Sequence, residues 1–228
     1  MVSPRILVVL TSFGYIPSVD KPTGWYLPEL AHPYEVLAPK ADLVFASPKG
    51  GLAPIDPESI EVSLNDTTSM DFLNTQQDIW ENTLPLSSVL HNASDFDAIF
   101  YPGGSGPMWD LATDAQSIQL IEEFYAAGKP VAAVCHGPVV LVNTFIGPVP
   151  IVSGKRVTGI SNNEEDALNM TSALPFLVED ALKQRVGIYS KADEPFGEHV
   201  LVDGNLITGQ NPASAAGVGE AIAKMLGI

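Results

Sequence analysis

Val131-Ala-Ala-Val-Cys-His-Gly-Pro138 places an apolar run directly before a cysteine, a histidine and a glycine–proline pair. A run of valine and alanine of this length is typical of a strand buried on both faces of a sheet. The next residues, 139–142, read Val-Val-Leu-Val and are compatible with a helix. The pattern predicts a strand-to-helix turn with Cys135 at the carboxyl end of the strand, where α/β sheets bind their ligands.

Short apolar runs that end in polar or glycine-rich loops recur along the chain. They occupy 6–10, 43–46, 98–101 and 131–134. Helical patterns cover 117–127, which stops at Gly128, then 175–184 and 212–226, and a hairpin is predicted to turn at Asp203-Gly204. Strands that alternate with helices in this way predict a three-layer α/β/α sandwich with a mostly parallel sheet.

Length and charge restrict the class of protein. The chain has 228 residues, 46% of them hydrophobic, which is enough for one sizeable core. We expect a single domain, 1–228, with a flap or insertion around 52–92, where polar clusters interrupt the pattern.

The net charge is −16, from 27 acidic residues against 11 lysines and arginines. Since such a charge repels phosphate groups and anionic lipids, neither nucleic acid nor a membrane is expected as a partner.

Cysteine and histidine usage argues against metal and disulfide sites. Cys135 is the single cysteine, which excludes an internal disulfide and a multi-cysteine zinc site. His32, His91 and His199 lack the spacing of metal ligands, so no metal is expected.

The apolar run at 6–10 is too short for the core of a signal peptide. A cytoplasmic location is therefore expected, with the nucleus left open as a second compartment.

Cys135 is the leading candidate for a catalytic nucleophile. A sulfur that faces a helix N-terminus lies in partial positive charge, which favours the thiolate and lowers the thiol pKa. His136, next in sequence, is a candidate proton carrier at neutral pH. The structural alternative is a small residue packed in the core. The strand-end position and the following His-Gly-Pro favour the catalytic interpretation.

Two further segments carry candidate site residues. Pro102-Gly-Gly-Ser-Gly106 follows a predicted strand, and its glycines allow backbone N–H groups to approach a substrate oxygen, as an oxyanion hole requires. The alternative is a tight turn without a catalytic role. Glu29 lies between the aromatic pair Trp25-Tyr26 and His32. Its carboxyl is either held in an apolar pocket with a raised pKa or, as for most acidic residues on an early helix, exposed to solvent.

These motifs resemble the ThiJ/PfpI superfamily, which has a flavodoxin-like, class I glutamine amidotransferase-like fold. Within it they are most similar to the branch of glutathione-independent glyoxalases (glyoxalase III) and heat-inducible chaperones. The matching stretches run from the first strand to the last helix and include Thr23-Gly-Trp-Tyr-Leu-Pro-Glu-Leu-Ala-His-Pro-Tyr34, Pro102-Gly-Gly-Ser-Gly-Pro-Met-Trp-Asp-Leu111, Ala133-Val-Cys-His-Gly-Pro138 and Thr208-Gly-Gln-Asn-Pro-Ala-Ser214. The stretch around Glu29 is the most specific to the branch.

The resemblance implies a role for each candidate site residue. Cys135 would be the nucleophile, His136 its partner and Glu29 the carboxylate near the sulfur. An acidic residue after the Thr158-Gly strand would complete a triad, and the spacing favours Glu165 over Glu164. The amide of Gly103 or Gly104, with that of His136, would form the oxyanion pocket. Ser105 stands where relatives often have histidine, which leaves substrate preference open.

The same resemblance implies a cofactor-free lyase that converts methylglyoxal to D-lactate and glyoxal to glycolate through a Cys135 hemithioacetal. Its partner would be the small dicarbonyl substrate, and relatives suggest a homodimer. Three alternatives stay open. They are a related hydratase of the superfamily, a stress chaperone, and a redox sensor that works through oxidation of Cys135.

Overall fold

A computed structural model describes residues 3–90 and 92–228. Its central sheet has seven strands in the order β12-β13-β7-β6-β1-β4-β5. These strands are β1 (Arg5–Val9), β4 (Asp42–Ser47), β5 (Leu84–Pro85), β6 (Ala98–Tyr101), β7 (Val131–Val134), β12 (Val200–Asp203) and β13 (Leu206–Gly209). All neighbouring pairs are parallel except β12–β13, which forms the predicted hairpin.

Three two-stranded ribbons complete the strands of the described residues. They pair β2 (Tyr15–Ile16) with β3 (Lys21–Pro22), β8 (Phe145–Ile146) with β9 (Val149–Pro150), and β10 (Arg156–Val157) with β11 (Ile188–Tyr189). The α-helices are α1 (Leu27–Leu37), α2 (Pro57–Val62), α3 (Thr67–Thr75), α4 (Asp78–Glu81), α5 (Leu86–Val89), α6 (Ala115–Ala126), α7 (Asn162–Ala167), α8 (Val178–Gln184) and α9 (Ala215–Leu226).

Helices cover the central sheet, with α1 packed on α9 and α5 packed on α6. Strands β1, β6 and β7 are almost entirely buried, as their uninterrupted apolar sequences require. The predicted three-layer α/β/α sandwich is confirmed. Because β7 lies between β6 and β13, Cys135 emerges near the middle of the sheet, at the edge where the parallel strands end.

Several predicted helix boundaries are wrong by a few residues. Helix α6 begins two residues early because the Asp114 side chain accepts from the Ser117 amide and caps it. Helix α8 begins at Val178, three residues after Pro175, where the sequence predicts its start. The predicted helix after Cys135 is a 3-10 helix, Gly137–Leu141. A five-residue 3-10 helix offers much less aligned dipole than an α-helix would.

The stretch 52–92, expected as a flap or insertion, holds helices α2 to α5 and the edge strand β5. Trp80 from this stretch is buried against Trp25, with ring centroids 5.4 Å apart, and Phe72 packs on both. The aromatic cluster fixes the segment just before α1. Tyr26 belongs to that segment and Glu29 follows it in the first turn of α1, so this stretch supports one wall of the site described below.

Gly24, in the segment just before α1, lies against the backbone of the stretch that follows β4. A Cβ at Gly24 would lie 2.0 Å from the carbonyl oxygen of Pro54. The flanking backbone is fixed by hydrogen bonds from the Trp25 amide to Pro54 and from the Asp56 amide to Trp25, both 2.9 Å. No side chain can move aside to relieve this contact, because the obstacle is backbone.

Gly24→Ala is therefore expected to lower the free energy of unfolding by about 3 kcal/mol or more, the upper range for overpacking. Gly51→Ala is the matched control, since Gly51 has a φ of +70° but a Cβ there would meet nothing within 4 Å. Backbone strain alone should cost that variant about 1 kcal/mol. Urea unfolding of both variants measures the difference. Equal losses would show that Gly24 is not sterically restricted.

Candidate active site

Cys135 has a strained backbone that directs its side chain into a cavity. Its φ is +61°, in the left-handed region that non-glycine residues seldom adopt. Two hydrogen bonds hold this conformation, from the Cys135 amide to Gly209 (3.0 Å) and from the Ile160 amide to the Cys135 carbonyl (2.9 Å). The residue is 5% exposed. The sulfur is thus positioned by backbone contacts to β13 and to the segment before α7.

The expected lowering of the thiol pKa is wrong. Burial raises the pKa of Cys135 well above its ordinary value, and the nearby Glu29 carboxylate raises it further. The short 3-10 helix that follows offers little positive potential to oppose these effects. In the resting protein at neutral pH the thiol therefore keeps its proton, and any thiolate chemistry needs a nearby proton acceptor.

Glu29 provides a carboxyl group beside the sulfur. It lies fully buried in the first turn of α1, and its Oε2 accepts from the Gly103 amide at 2.8 Å. Burial raises its pKa from 4.5 to about 8, although the Cys135 thiol, the His136 ring and the Gly103 amide lower it. Its Oε1 has no hydrogen-bond partner among the described residues. Of the two interpretations of Glu29, the buried one with a raised pKa is correct.

His136 pairs with Glu165 on α7. His136 Nε2 lies 2.7 Å from Glu165 Oε1, and the other ring nitrogen, Nδ1, lies 3.5 Å from the Cys135 sulfur. Burial by itself lowers the pKa of His136, but the Glu165 carboxylate outweighs it and the pKa is raised. The Glu165 carboxylate therefore favours the protonated form of the ring, whose positive charge lies beside the sulfur.

Glu164, the alternative triad acid, has a different environment. Its carboxylate accepts from Ser161 at the start of α7, from Gln210 and Asn211, and from the Phe196 amide. These donors outweigh burial and lower its pKa. The structure thus brings Glu165, and not Glu164, to His136, in line with the spacing argument.

The diglycine turn, Gly103-Gly104, offers one glycine amide to the cavity rather than two. The Gly103 amide is occupied by Glu29. In the described residues, the amides of Gly104 and His136 have no hydrogen-bond acceptor. Gly104 has a φ of +84°, and a Cβ there would lie 2.3 Å from the Gly24 carbonyl oxygen. Of the two glycines, Gly104 is the one available as an oxyanion donor.

A cavity of about 120 Å³ collects these groups. It is far smaller than the roughly 300–1,000 Å³ of sites for drug-sized ligands, and this size favours a molecule of a few heavy atoms. Cys135, His136, Glu29, Glu165, Gly104 and Ser105, all candidates from sequence, line it. The lining residues that sequence reasoning missed are Ile16, Lys21, Pro22, Thr23, Tyr26, Asp56, Glu58, Ile160, Leu168, Met170, Phe196, Asn211 and Pro212. They come from separate segments of the chain that no local pattern connects.

Metal-binding clusters and membrane-spanning helices are both absent from residues 3–90 and 92–228. No group of three or more His, Cys, Asp or Glu side chains there is arranged to hold a metal ion. His32 pairs with Asp66 and His199 with Ser190, whereas His91 lies outside the described residues. None of the helices in this part of the chain has the length and apolar character needed to cross a membrane.

Fold and site together define a class of three-layer α/β proteins that carry a cysteine on a tight turn after a central parallel strand. The chain belongs to the DJ-1/PfpI family, whose model matches residues 29–225.

Named relatives agree with this assignment. The chain is 29% identical over 225 residues to the glutathione-independent glyoxalase HSP31 of Saccharomyces cerevisiae, covering 94% of each chain. The structure of Rapid Encystment Protein 24 KDa of Francisella tularensis is similar with a TM-score of 0.91 and 35% identity, over 98% of this chain and 99% of that one. Glyoxalase III of Candida albicans has the same fold, with a TM-score of 0.89 at 24% identity over 97% and 96%.

Proposed function

We propose that this chain is a glutathione-independent glyoxalase that converts methylglyoxal to D-lactate and glyoxal to glycolate. The observation that carries the proposal is the enclosure of Cys135 and Glu29 in one small cavity, where the pKa of the carboxyl is about 8. A carboxyl with such a pKa exchanges protons readily at neutral pH. The names of the full-length relatives support the substrate class.

The first step joins the sulfur to the aldehyde carbon. The Glu29 carboxylate takes the thiol proton, and the thiolate adds to C1 of the dicarbonyl. The new C1 alkoxide is stabilised by the amides of Gly104 and His136, and the proton on Glu29 then moves to it. The product is a neutral hemithioacetal, with Glu29 again ionised. Positive charge on His136 stabilises the thiolate before it attacks.

The second step moves hydrogen from C1 to C2. Glu29 removes the proton on C1, the electron pair forms a C1–C2 double bond, and the C2 carbonyl oxygen becomes an enolate. The C1 hydroxyl proton passes to the C2 oxygen, a C1 carbonyl forms, and Glu29 returns its proton to C2. A lactoyl thioester of Cys135 results, with no net oxidation or reduction.

Hydrolysis completes the cycle. Water adds to the thioester carbonyl, the oxyanion again lies at the Gly104 and His136 amides, and the C1–S bond breaks. The sulfur leaves as a thiolate and regains a proton, while lactate carries the added oxygen. The sum is methylglyoxal plus water giving lactic acid.

The test is D-lactate formation from methylglyoxal with glutathione withheld, followed with a D-lactate-specific dehydrogenase. We expect steady D-lactate release and, in acid-quenched samples, a Cys135 peptide heavier by one methylglyoxal. Absence of D-lactate would reject the proposal. Glyoxal should give glycolate under the same conditions.

The pH profile follows from the coupled proton of Cys135 and Glu29. The reactive enzyme has lost one proton from this pair, whichever atom keeps the other. Because the pKa of Glu29 is about 8, kcat/KM should rise about tenfold per pH unit between pH 6 and 7 and level off above about 8. Initial rates in buffers of constant ionic strength measure this. A profile that is flat from pH 6 to 9 would contradict the role of Glu29.

A further inference from the structure

The proposed reaction places negative charge on two different oxygens. The first is the C1 oxygen, for which the Gly104 and His136 amides are available. The second is the C2 oxygen, which becomes an enolate when the C1 proton leaves. An enolate formed in a buried cavity needs its own hydrogen-bond donor, since charge without a partner is costly there.

Most polar side chains of the cavity are already committed. Asp56 accepts from Thr23 at 3.1 Å and from the Glu58 amide at 3.0 Å. Asn211 donates to Glu164 (2.8 Å) and to the Gly197 carbonyl (2.7 Å).

The cationic groups around the cavity are paired as well. Lys21 is paired with Glu58, and His136 with Glu165. Among the lining residues that the structure describes, the hydroxyls of Tyr26 and Ser105 are the neutral donors with no hydrogen bond.

Tyr26 is the better placed of the two. It caps the N-terminus of α1, one turn before Glu29, and its amide donates to the Gly103 carbonyl at 3.3 Å. The diglycine turn packs directly on it, since a Cβ at Gly104 would lie 2.8 Å from the Tyr26 nitrogen. Burial raises the pKa of the phenol, and the charges of Glu29 and Cys135 raise it further. The Tyr26 side chain thus lines the same small cavity as Glu29 and Cys135, and its phenol stays protonated as a donor.

We infer that the Tyr26 hydroxyl is a catalytic donor that binds the C2 oxygen of the dicarbonyl and stabilises the enolate formed there. The inference rests on the proposed glyoxalase function and extends it. Tyr26 shares its proton without losing it, so the proton balance of the reaction is unchanged.

The test compares Tyr26→Phe with Tyr34→Phe. Tyr34 lies on the same helix, but its hydroxyl donates to Gln76 at 3.0 Å, outside the cavity. Removal of one donor to a developing oxyanion costs roughly 10²-fold in rate. We expect Tyr26→Phe to lower kcat for methylglyoxal by about that factor with little change in KM, and Tyr34→Phe to retain the parent kcat.

Two readouts separate catalysis from structural damage. Alkylation of Cys135 by iodoacetamide should proceed within about twofold of the parent rate in Tyr26→Phe, because the ring and the thiol environment are kept. Deuterium on C1 of methylglyoxal should slow Tyr26→Phe more than the parent, since enolate formation becomes the slower step. Parent-like kcat in Tyr26→Phe, or a loss accompanied by equally slow alkylation, would overturn the inference and leave the glyoxalase proposal standing. A parent protein that forms no D-lactate would overturn both.

Discussion

Cys135→Ala is expected to lower kcat/KM for D-lactate formation by roughly 10⁴-fold or more, the scale seen when an enzyme loses its nucleophile. The sulfur forms the covalent bond that activates C1, and the remaining cavity groups offer no other nucleophile of comparable reactivity. The thioester adduct on the 135 peptide should vanish as well. Cys135→Ser, which keeps the shape of the side chain, should be nearly as inactive because an alcohol is far harder to deprotonate than a thiol.

Both Cys135 variants should remain folded. The residue has strained backbone at a φ of +61°, but its side chain is small, and its replacement leaves the Gly209 and Ile160 hydrogen bonds intact. Thermal unfolding near the parent temperature serves as the control. D-lactate formation by Cys135→Ala at the parent rate would eliminate covalent catalysis. Suppression of client aggregation that survives the substitution would instead support the chaperone alternative.

Glu29→Gln should have the second largest effect, a loss of about 10³-fold in kcat, within the range for general acid–base groups. The amide keeps the size of the carboxyl and can still accept from the Gly103 amide, but it cannot take a proton from Cys135 or C1. The rise of activity towards pH 8 should disappear with it. Glu35→Gln, on the exposed side of α1, is the matched control and should keep both the rate and the pH profile.

The same substitution should stabilise the protein at neutral pH and above. The pKa of Glu29 is 4.5 in the unfolded chain and about 8 in the folded protein. Ionisation of this carboxyl therefore destabilises the folded state. Its cost begins near pH 4.5, grows with pH and levels off above about 8. At 1.36 kcal/mol per pH unit, the cost reaches about 3 kcal/mol at pH 7.

Glu29→Gln lacks this cost, so urea unfolding should show it more stable than the parent at pH 8 and little different at pH 5. A variant that is less stable than the parent at pH 8 would contradict the assigned burial of an ionisable carboxyl. The expected result would show activity and stability opposed at this position, as is common where a site holds a group in an unfavourable environment.

Sequence patterns were sufficient for the parts of the molecule that depend on local chemistry. Apolar runs that end in glycine-rich loops predicted the parallel strands, and the Cys-His-Gly-Pro sequence placed the candidate nucleophile at a strand end. The choice of Glu165 over Glu164 agrees with the contact to His136, although it depended on the family resemblance. Each of these features is encoded within a few residues.

Features that depend on long-range approach were not predictable from local sequence, and only the family resemblance placed Glu29 near the sulfur. The thiol pKa is set by burial and by Glu29, which is 106 positions away in sequence and reaches the sulfur only in the folded chain. The Gly103 amide is occupied by Glu29 for the same reason. Tyr26 and Phe196 enter the cavity from separate loops, and neither has a local signal that would distinguish it from an ordinary core or surface aromatic residue.

The lining residues of the cavity that reach solvent include Leu168, Met170 and Phe196, which belong to segments outside the central strands. The reacting groups, by contrast, are fixed by backbone hydrogen bonds to β13 and the diglycine turn. The lining residues near solvent can therefore be substituted without moving the reacting groups. Smaller side chains at these three positions would widen the cavity towards solvent while the sulfur keeps its position, so the chain offers a starting scaffold for laboratory evolution towards bulkier ketoaldehydes.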